Sequence, residues 1–567
     1  MGTTLSLNGL PDDYFIFLEN GKRLYGDDTY ARINVAKIKR IEILNGASSA
    51  LYGTNAIGGV INIITDDAKN AINVSSDTRY ASKGRFTQSV NIDVNTGKFG
   101  SYTSYRRQQA EGWQLNPYEE NSKTHELEET GKVASTGFYA NTVNQKFTFD
   151  ATDKLSFYAR GGYYDNKTRR PYEAYDYNIL HETFNYGIGA QYMINKGNYI
   201  TADCYADHFS SSYCFFKDNK TYNGKAGEEQ VRKRTRNHNL SIKGIFKLGN
   251  RHKLSVGTEY IVDVLKSQTD NIAKEDAYTL ALFAQDEIKL LRNLQALIGV
   301  RYIYHENFKN HATPNVALMY KPGKFNFRAS YAAGFRTPTL SELYATDIAK
   351  KNDRLTIGNL DLKPEKNNYF SLSAEYVHER FSVSVNAFYN NIRDMIDYNT
   401  IATGDKAMEQ YGHKEVRQRD NIAEAKVHGI NVSANAYLGA GFNLSGGYTH
   451  LNTQDVELEQ PIDKSIKNAY NINAQWAHSW KIYRLNINLN GRINSKRFSK
   501  SYGYAPEYQL WDLNTRHSFN LKSVIIEPGF GMENLFDYMD DRPYNSNYAT
   551  LTPGRSFYIS LSLKFKS

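Results

Sequence analysis

The chain has two cysteines in 567 residues, Cys204 and Cys214, too few for a disulfide framework or a cysteine-based zinc site. A single loop bridge in an oxidising compartment and two unpaired thiols both stay open. Proline is scarce as well, at 12. No run reaches ~18 consecutive apolar residues, which excludes a helical membrane protein. There is no CxxC, no GxSxG and no HExxH, and no Ser/His pair stands out, so the sequence does not read as an enzyme. The opening Met1-Gly2-Thr3-Thr4-Leu5-Ser6 lacks the basic and apolar regions of a signal peptide. Gly2 and Ser6 fit a loose myristoylation pattern, too short to carry weight.

Aromatic residues are abundant, with 44 Tyr and 28 Phe in a total of 13%. With many Asn, Ser, Thr and Gly, this composition suits a large β protein. Mean hydropathy is -0.61; the strands of a membrane barrel escape such averages, because lipid-facing and lumen-facing residues alternate. The net charge of +9 is spread along the chain. Its densest run, Arg232-Lys233-Arg234-Thr235-Arg236, reads as a solvated loop face and not as a nucleic-acid patch.

From about Asn70 onward the period is two. Phe557, Ile559, Leu561, Leu563 and Phe565 alternate with polar residues, as do Leu485, Ile487 and Leu489, and Phe381, Val383 and Val385. Short turn-like breaks fall near Gly97, Asp153, Gly197, Asn250, Asn293, Gly323, Glu379, Gly439, Ile482 and Ser523. Longer polar stretches lie between them, at 109–144, 209–234, 334–367 and 394–424. Ten short turns separate eleven hairpins, which predicts an antiparallel transmembrane β-barrel of about 22 strands. Such a barrel is too wide to be filled by its own side chains. The segment 1–65 has another texture: strands at Tyr14–Leu18, Ile38–Leu44 and Val60–Ile64, a turn at Asn20-Gly21, and a short helical turn at Asn34–Lys37. This small α/β piece is the candidate lumen filler, so the chain divides into a plug at 1–65 and a barrel at 66–567.

Three blocks then point to a family. The first runs Ile38-Lys39-Arg40-Ile41-Glu42-Ile43-Leu44-Asn45-Gly46, Ser49-Ala50-Leu51-Tyr52-Gly53 and Ala56-Ile57-Gly58-Gly59-Val60-Ile61-Asn62. The second is Gly334-Phe335-Arg336-Thr337-Pro338 with Glu342-Leu343-Tyr344, then Asn359 through Leu362-Lys363-Pro364-Glu365. The third is Asn534-Leu535-Phe536-Asp537, Pro553-Gly554-Arg555 and the strand ending at Phe565. Together they resemble the TonB-dependent outer-membrane receptors over essentially the whole chain. The resemblance implies a monomeric barrel in the outer membrane of a Gram-negative bacterium, energised by the TonB–ExbB–ExbD complex. It implies uptake of a scarce bulky nutrient, an iron–siderophore complex or cobalamin, with a haem receptor or a passive porin-like barrel as alternatives. A surface lipoprotein is an admissible partner; nucleic acid is not. Against the family pattern, the chain starts at what reads as mid-plug, without signal peptide, TonB-pairing box or first half-plug.

The resemblance places ligand contacts on plug loops and long outer loops. Candidates are Tyr25, Asp27, Asp28 and Tyr30 on the plug loop, read either as a contact surface or as a solvated loop. Arg169, Arg170, Tyr172 and Tyr175, with Tyr177, offer stacking planes and positive charge, although an interfacial aromatic girdle is the preferred reading. Arg106-Arg107 with Trp113 and Tyr118 is a weaker set of the same kind. No histidine lies in 335–362, which counts against a standard haem site. Asp27-Asp28 and Asp540-Asp541 lack a spacing diagnostic of calcium. No metal or cofactor is assigned; iron or cobalt would come with the cargo. By resemblance Arg40 and Glu42 lock plug to wall, and Gly46, Gly53, Gly58 and Gly59 serve turns and close approaches.

Overall fold

A computed structural model describes residues 6–35, 38–46, 56–65, 71–121, 123–349, 353–500, 503–544 and 552–566. The period-two pattern becomes the wall of a closed antiparallel barrel of 22 strands. Its first strand, Ile72–Ala81, pairs with its last, Ser556–Lys566, so that Tyr558 lies opposite Ala81 and Lys566 opposite Asn73. The apolar file Phe557, Ile559, Leu561, Leu563 and Phe565 faces outward, each residue 40% exposed or more, as does Phe381 with Val385. An apolar band of this extent on the outside of a protein suits contact with lipid. All ten predicted short turns sit at or within one residue of a hairpin join, at one rim.

The opposite rim differs from expectation. Phe381–Thr403 and Glu415–Gly439 are strands of 23 and 25 residues that run through most of the predicted loop 394–424. Asn198–Phe215 and Glu229–Leu248 likewise take up much of 209–234, so the run Arg232–Arg236 lies in a strand and not in a loop. A span needs only ~9–11 residues. Above it the ribbons are wet on both faces, so the apolar alternation stops while the backbone ladder continues. The segment 334–367 also carries structure: a capped helical turn at Leu340–Tyr344 and a hairpin of Thr346–Ala349 with Arg354–Ile357.

Inside the wall sits a four-stranded sheet in the order Lys22–Arg23, Phe15–Glu19, Gly59–Thr65, Ile38–Asn45. Phe15–Glu19 is parallel to Gly59–Thr65 and nearly all buried. Asn20 and Gly21 both have positive φ, 51° and 77°, as the tight hairpin turn requires. The expected helical turn at 34–37 falls partly outside the described residues.

One side of this plug meets the wall through apolar contact. Leu10, Tyr14 and Ile57 pack with Ala332, Tyr369, Phe388, Ile392, Val427 and Leu451. Within that contact the second sequence block closes on itself. Arg336 donates to both oxygens of Glu342, at 2.9 and 3.0 Å, and to Glu365, which also accepts from the Tyr14 hydroxyl at 3.3 Å. Gly46, at φ +80°, leaves no room for a side chain: a Cβ would fall 2.2 Å from the Tyr369 ring. A Cβ on Gly59 would meet the Leu44 carbonyl oxygen at 2.3 Å, and Gly58 packs on Tyr14 and Leu10. Gly53 lies outside the described residues.

The expected lock through Arg40 and Glu42 is not formed among the described residues. Two positions apart on the edge strand, their side chains share a face and pair with each other at 2.7 Å, both exposed, with Asn62 as the further partner of Glu42.

The outward facing of Leu561 has a direct check. Leu561→Arg places a cation in mid-bilayer at a cost of about 2–4 kcal/mol. Yield of the folded, heat-modifiable barrel should fall sharply; wild-type yield and mobility would contradict the facing.

Candidate ligand site at the loop rim

The other side of the plug is held by charge, and the contacts climb the wall from the turn rim toward the loop rim. Lowest are Glu19 with Arg160 at 2.5 Å and Lys22 with Asp203 at 2.9 Å. Next comes Arg32 with Asp207 at 3.0 Å, side chains 5% and 0% exposed. Asp207 also accepts from the backbone N–H of Tyr25 at 2.8 Å, and Arg32 donates to the carbonyls of Tyr25 and Asp27. Beside them Arg106, predicted as a rim cation, is buried and donates to the carbonyls of Ile33 and Ala31. Highest is Asp28, which takes hydrogen bonds from Asn166 at 2.9 Å and Tyr164 at 3.3 Å and contacts His181 Nδ1 at 2.9 Å.

These contacts sort the plug-loop candidates. Asp28 is committed to the wall. Burial opposes its charge, but the bonds from His181, Asn166 and Tyr164 outweigh that and hold its carboxyl below the usual range. Tyr25 anchors the loop through its backbone, with Arg23 4.9 Å over its ring. Asp27 is exposed at the apex, and Tyr30 is half-buried with its ring 6.2 Å from Phe17.

Above the apex, Arg170 lies over the rings of Tyr175 and Tyr177, at 4.2 and 4.9 Å. Tyr177 stacks on Tyr213 at 4.1 Å, Tyr222 stands edge-on to both, and Arg232 covers Tyr213 and Tyr222 at 5.2 and 5.0 Å. In the strand Tyr177–Asn195, Tyr177 shares the face of His181, which meets the plug; in Asn198–Phe215, Tyr213 shares the face of Asp207. The lipid-facing files of these strands are instead Phe184, Tyr186, Ile188 and Ile200. The register thus puts Tyr177 and its stack on the inner face, not in a lipid girdle. Tyr544 joins from the last long loop; burial and the neighbouring Tyr175 push its phenol up to about 12, so it stays neutral.

The other rim candidates lie apart. Tyr172 is exposed and stacks on Phe216 under Lys217, and Arg169 donates to the Ala110 carbonyl. Trp113 bridges to Ser135, and Tyr118 belongs to a small hairpin with Glu129. The sequence reading missed Tyr213, Tyr222 and Arg232. The spacing of Tyr213 with Phe215 puts both on one strand face and is the available signal for Tyr213; nothing local marks Tyr222 or Arg232.

Comparison with known proteins agrees with this architecture. A family model described as TonB dependent receptor-like, beta-barrel matches residues 84–535, and the TonB-dependent Receptor Plug Domain matches 1–60. A mutant form of the ferric enterobactin receptor PfeA from Pseudomonas aeruginosa is similar with a TM-score of 0.83 at 17% identity, over 98% of this chain and 91% of that one. The siderophore receptor PirA from Acinetobacter baumannii gives 0.79 at 16% over 98% and 91%. The FrpB iron transporter from Neisseria meningitidis gives 0.78 at 15% over 99% and 93%.

Two outcomes test the seating of the apex. Arg32→Ala leaves the Asp207 carboxylate buried without its cation, a loss of about 3–5 kcal/mol. Hydrogen exchange in 24–34 should accelerate while the wall strands stay protected. For Asp28, a lowered folded pKa means that its stabilisation is complete above the ordinary aspartate range and lost as pH falls through the folded value. Protection in 24–30, taken relative to the intrinsic exchange rate at each pH, should therefore be flat from neutrality down to about pH 4 and fall below it; a loss centred near pH 6 would contradict this.

Proposed function

Because the chain belongs to the TonB-dependent receptor family, we propose that it binds an iron–siderophore complex at the cell exterior and passes it across the outer membrane of a Gram-negative bacterium. Residues 1–65 act as the plug and 66–567 as the wall, which works as a monomeric barrel drawing on the TonB–ExbB–ExbD complex. The loop rim is the outer side. Its task is binding and release, not bond chemistry.

The observation that supports the cargo class is the stack of Tyr175, Tyr177, Tyr213 and Tyr222 between Arg170 and Arg232. Flat electron-rich faces rimmed by guanidinium groups suit an anionic chelate with aromatic arms. Rings stack on the tyrosines, and the net negative charge of a ferric catecholate meets the two arginines. Beneath it we assign Asp27 and Tyr30 to the cargo-facing apex; Asp28 and Tyr25 hold the loop in place.

Binding of the ferric complex of a tris-catecholate, of cyanocobalamin and of haemin to the purified chain tests this reading. The ferric catecholate should bind best. The Tyr177→Ala/Tyr213→Ala variant should lose about tenfold or more, from stacked pairs of roughly 0.5–1.5 kcal/mol each. Unchanged affinity in that variant, or selective binding of cyanocobalamin or haemin, would overturn the cargo assignment.

A further inference from the structure

The outer surface of the wall carries a second cationic group that the cargo site does not use. A bulge divides the basic run. Ser211 pairs with Lys233 and Ser212 with Val231, which leaves Arg232 as the extra residue. Arg232 turns in over Tyr213. Below the bulge Lys233, Thr235 and Asn237 face the lumen, where Asn237 bonds Asp263. Arg234, Arg236 and His238 therefore point outward, in file with Leu240 and Ile242, which are 51% and 47% exposed to the surrounding medium.

Cross-strand partners complete the patch. Arg236 lies opposite His208, and Arg234 opposite Lys266. The rings of His208 and His238 are 5.2 Å apart, and Tyr186 is 5.7 Å from His208. Phe184, opposite His208, and Tyr163 continue the same row. Outward aromatic rings mark the level of the lipid headgroups, so these cations stand at the depth of headgroup phosphates. Of the carboxylates on this face, Glu229 stands above the bulge, opposite Cys214, and two others flank the patch. Glu182, two strands from Arg234, accepts from the Tyr163 hydroxyl at 2.9 Å, and Asp276, two strands from Arg236, pairs with Lys274 at 3.2 Å. Neither reaches Arg234, Arg236 or Lys266.

Directly below His208 the outward file of Asn198–Phe215 turns small, through Ala206, Cys204 and Ala202. Ala206 itself is buried; beyond it Cys204, Ala202 and Ala190, with Ile188, Leu240 and the rings of Phe147, Phe149 and Phe157 as walls, line an apolar groove of about 540 Å³ on the lipid side. A cationic head position thus stands above an apolar groove.

We propose that this face is a lipid site: Arg234, Arg236 and Lys266, with His208 and His238, hold the phosphate of a phosphorylated lipid in the leaflet at the loop rim, and an acyl chain lies in the groove below. Guanidinium forks match phosphate oxygens two at a time. The site rests on the bilayer-spanning reading of the barrel and is independent of which cargo the lumen takes.

Native mass spectrometry of the full chain from detergent with added lipid A tests it. The wild type should retain lipid A in preference to phosphatidylcholine. The Arg234→Gln/Arg236→Gln/Lys266→Gln variant should retain about tenfold less, with unchanged heat-modifiable mobility and unchanged binding of the ferric tris-catecholate. Ala202→Leu, which fills the groove and leaves the charges, should also weaken retention. Equal retention by all three proteins would overturn the proposal, and so would full displacement by millimolar inorganic phosphate, which would mark a free-anion site. Failure of the barrel to insert into vesicles would instead refute the membrane reading beneath it.

Discussion

In hydrocarbon no backbone N–H or C=O finds water, so a strand that crosses a bilayer must have a partner on both sides. Everything else in this molecule follows from that requirement. The sheet has to meet itself, and it does so where Ile72–Ala81 receives Ser556–Lys566. Closure over 22 strands leaves a bore too wide for side chains to fill. A bore of that width in a membrane needs a stopper, and the sheet built from Phe15–Glu19, Gly59–Thr65 and Ile38–Asn45 occupies it.

The stopper is seated by two unlike chemistries on its two sides. Toward the strands around Tyr369, Phe388 and Leu451 the contact is apolar and encloses the Arg336, Glu342, Glu365 and Tyr14 group. Toward Arg160, Asp203 and Asp207 it is ionic. Buried pairs of this kind are poor sources of net stability but costly to break one partner at a time. They fix the position of the plug more than they add to its stability. The same contacts hold the apex: Asp28 is tied to His181 and the Tyr25 backbone to Asp207, so the 24–30 loop is fixed to the wall at two points with Asp27 exposed between them.

Much of the fold was legible because its signals are local. Asn20-Gly21 marks a turn by its own backbone preference, and each hairpin join near Gly97, Gly197 or Gly323 lies beside its own strands. The ribbons above the membrane read as loops because, wet on both faces, they lose the alternation that identifies a strand. Pairings across the lumen left no trace either. Asp28 and His181 are separated by 153 positions, and nothing near either residue announces the other. Arg40 and Glu42 mislead for the opposite reason: two positions apart, they satisfy each other before they reach the wall. Which face a ring takes depends on strand parity, so Tyr177 could be placed only once the register with Phe215 was known.

The bulge at Arg232 has a consequence for how this surface tolerates change. Residues 232, 234 and 236 are all even-numbered, and in an uninterrupted strand they would share one side. The single extra residue sends the first toward the bore and the others toward lipid. Deleting the extra residue would heal the bulge and keep the sides of both flanks, because Val231 opposite Ser212 and Lys233 opposite Ser211 already alternate. Adding or removing a residue elsewhere along this stretch would instead turn one flank inside out, so the bulge is a point at which the strand can absorb a change of length.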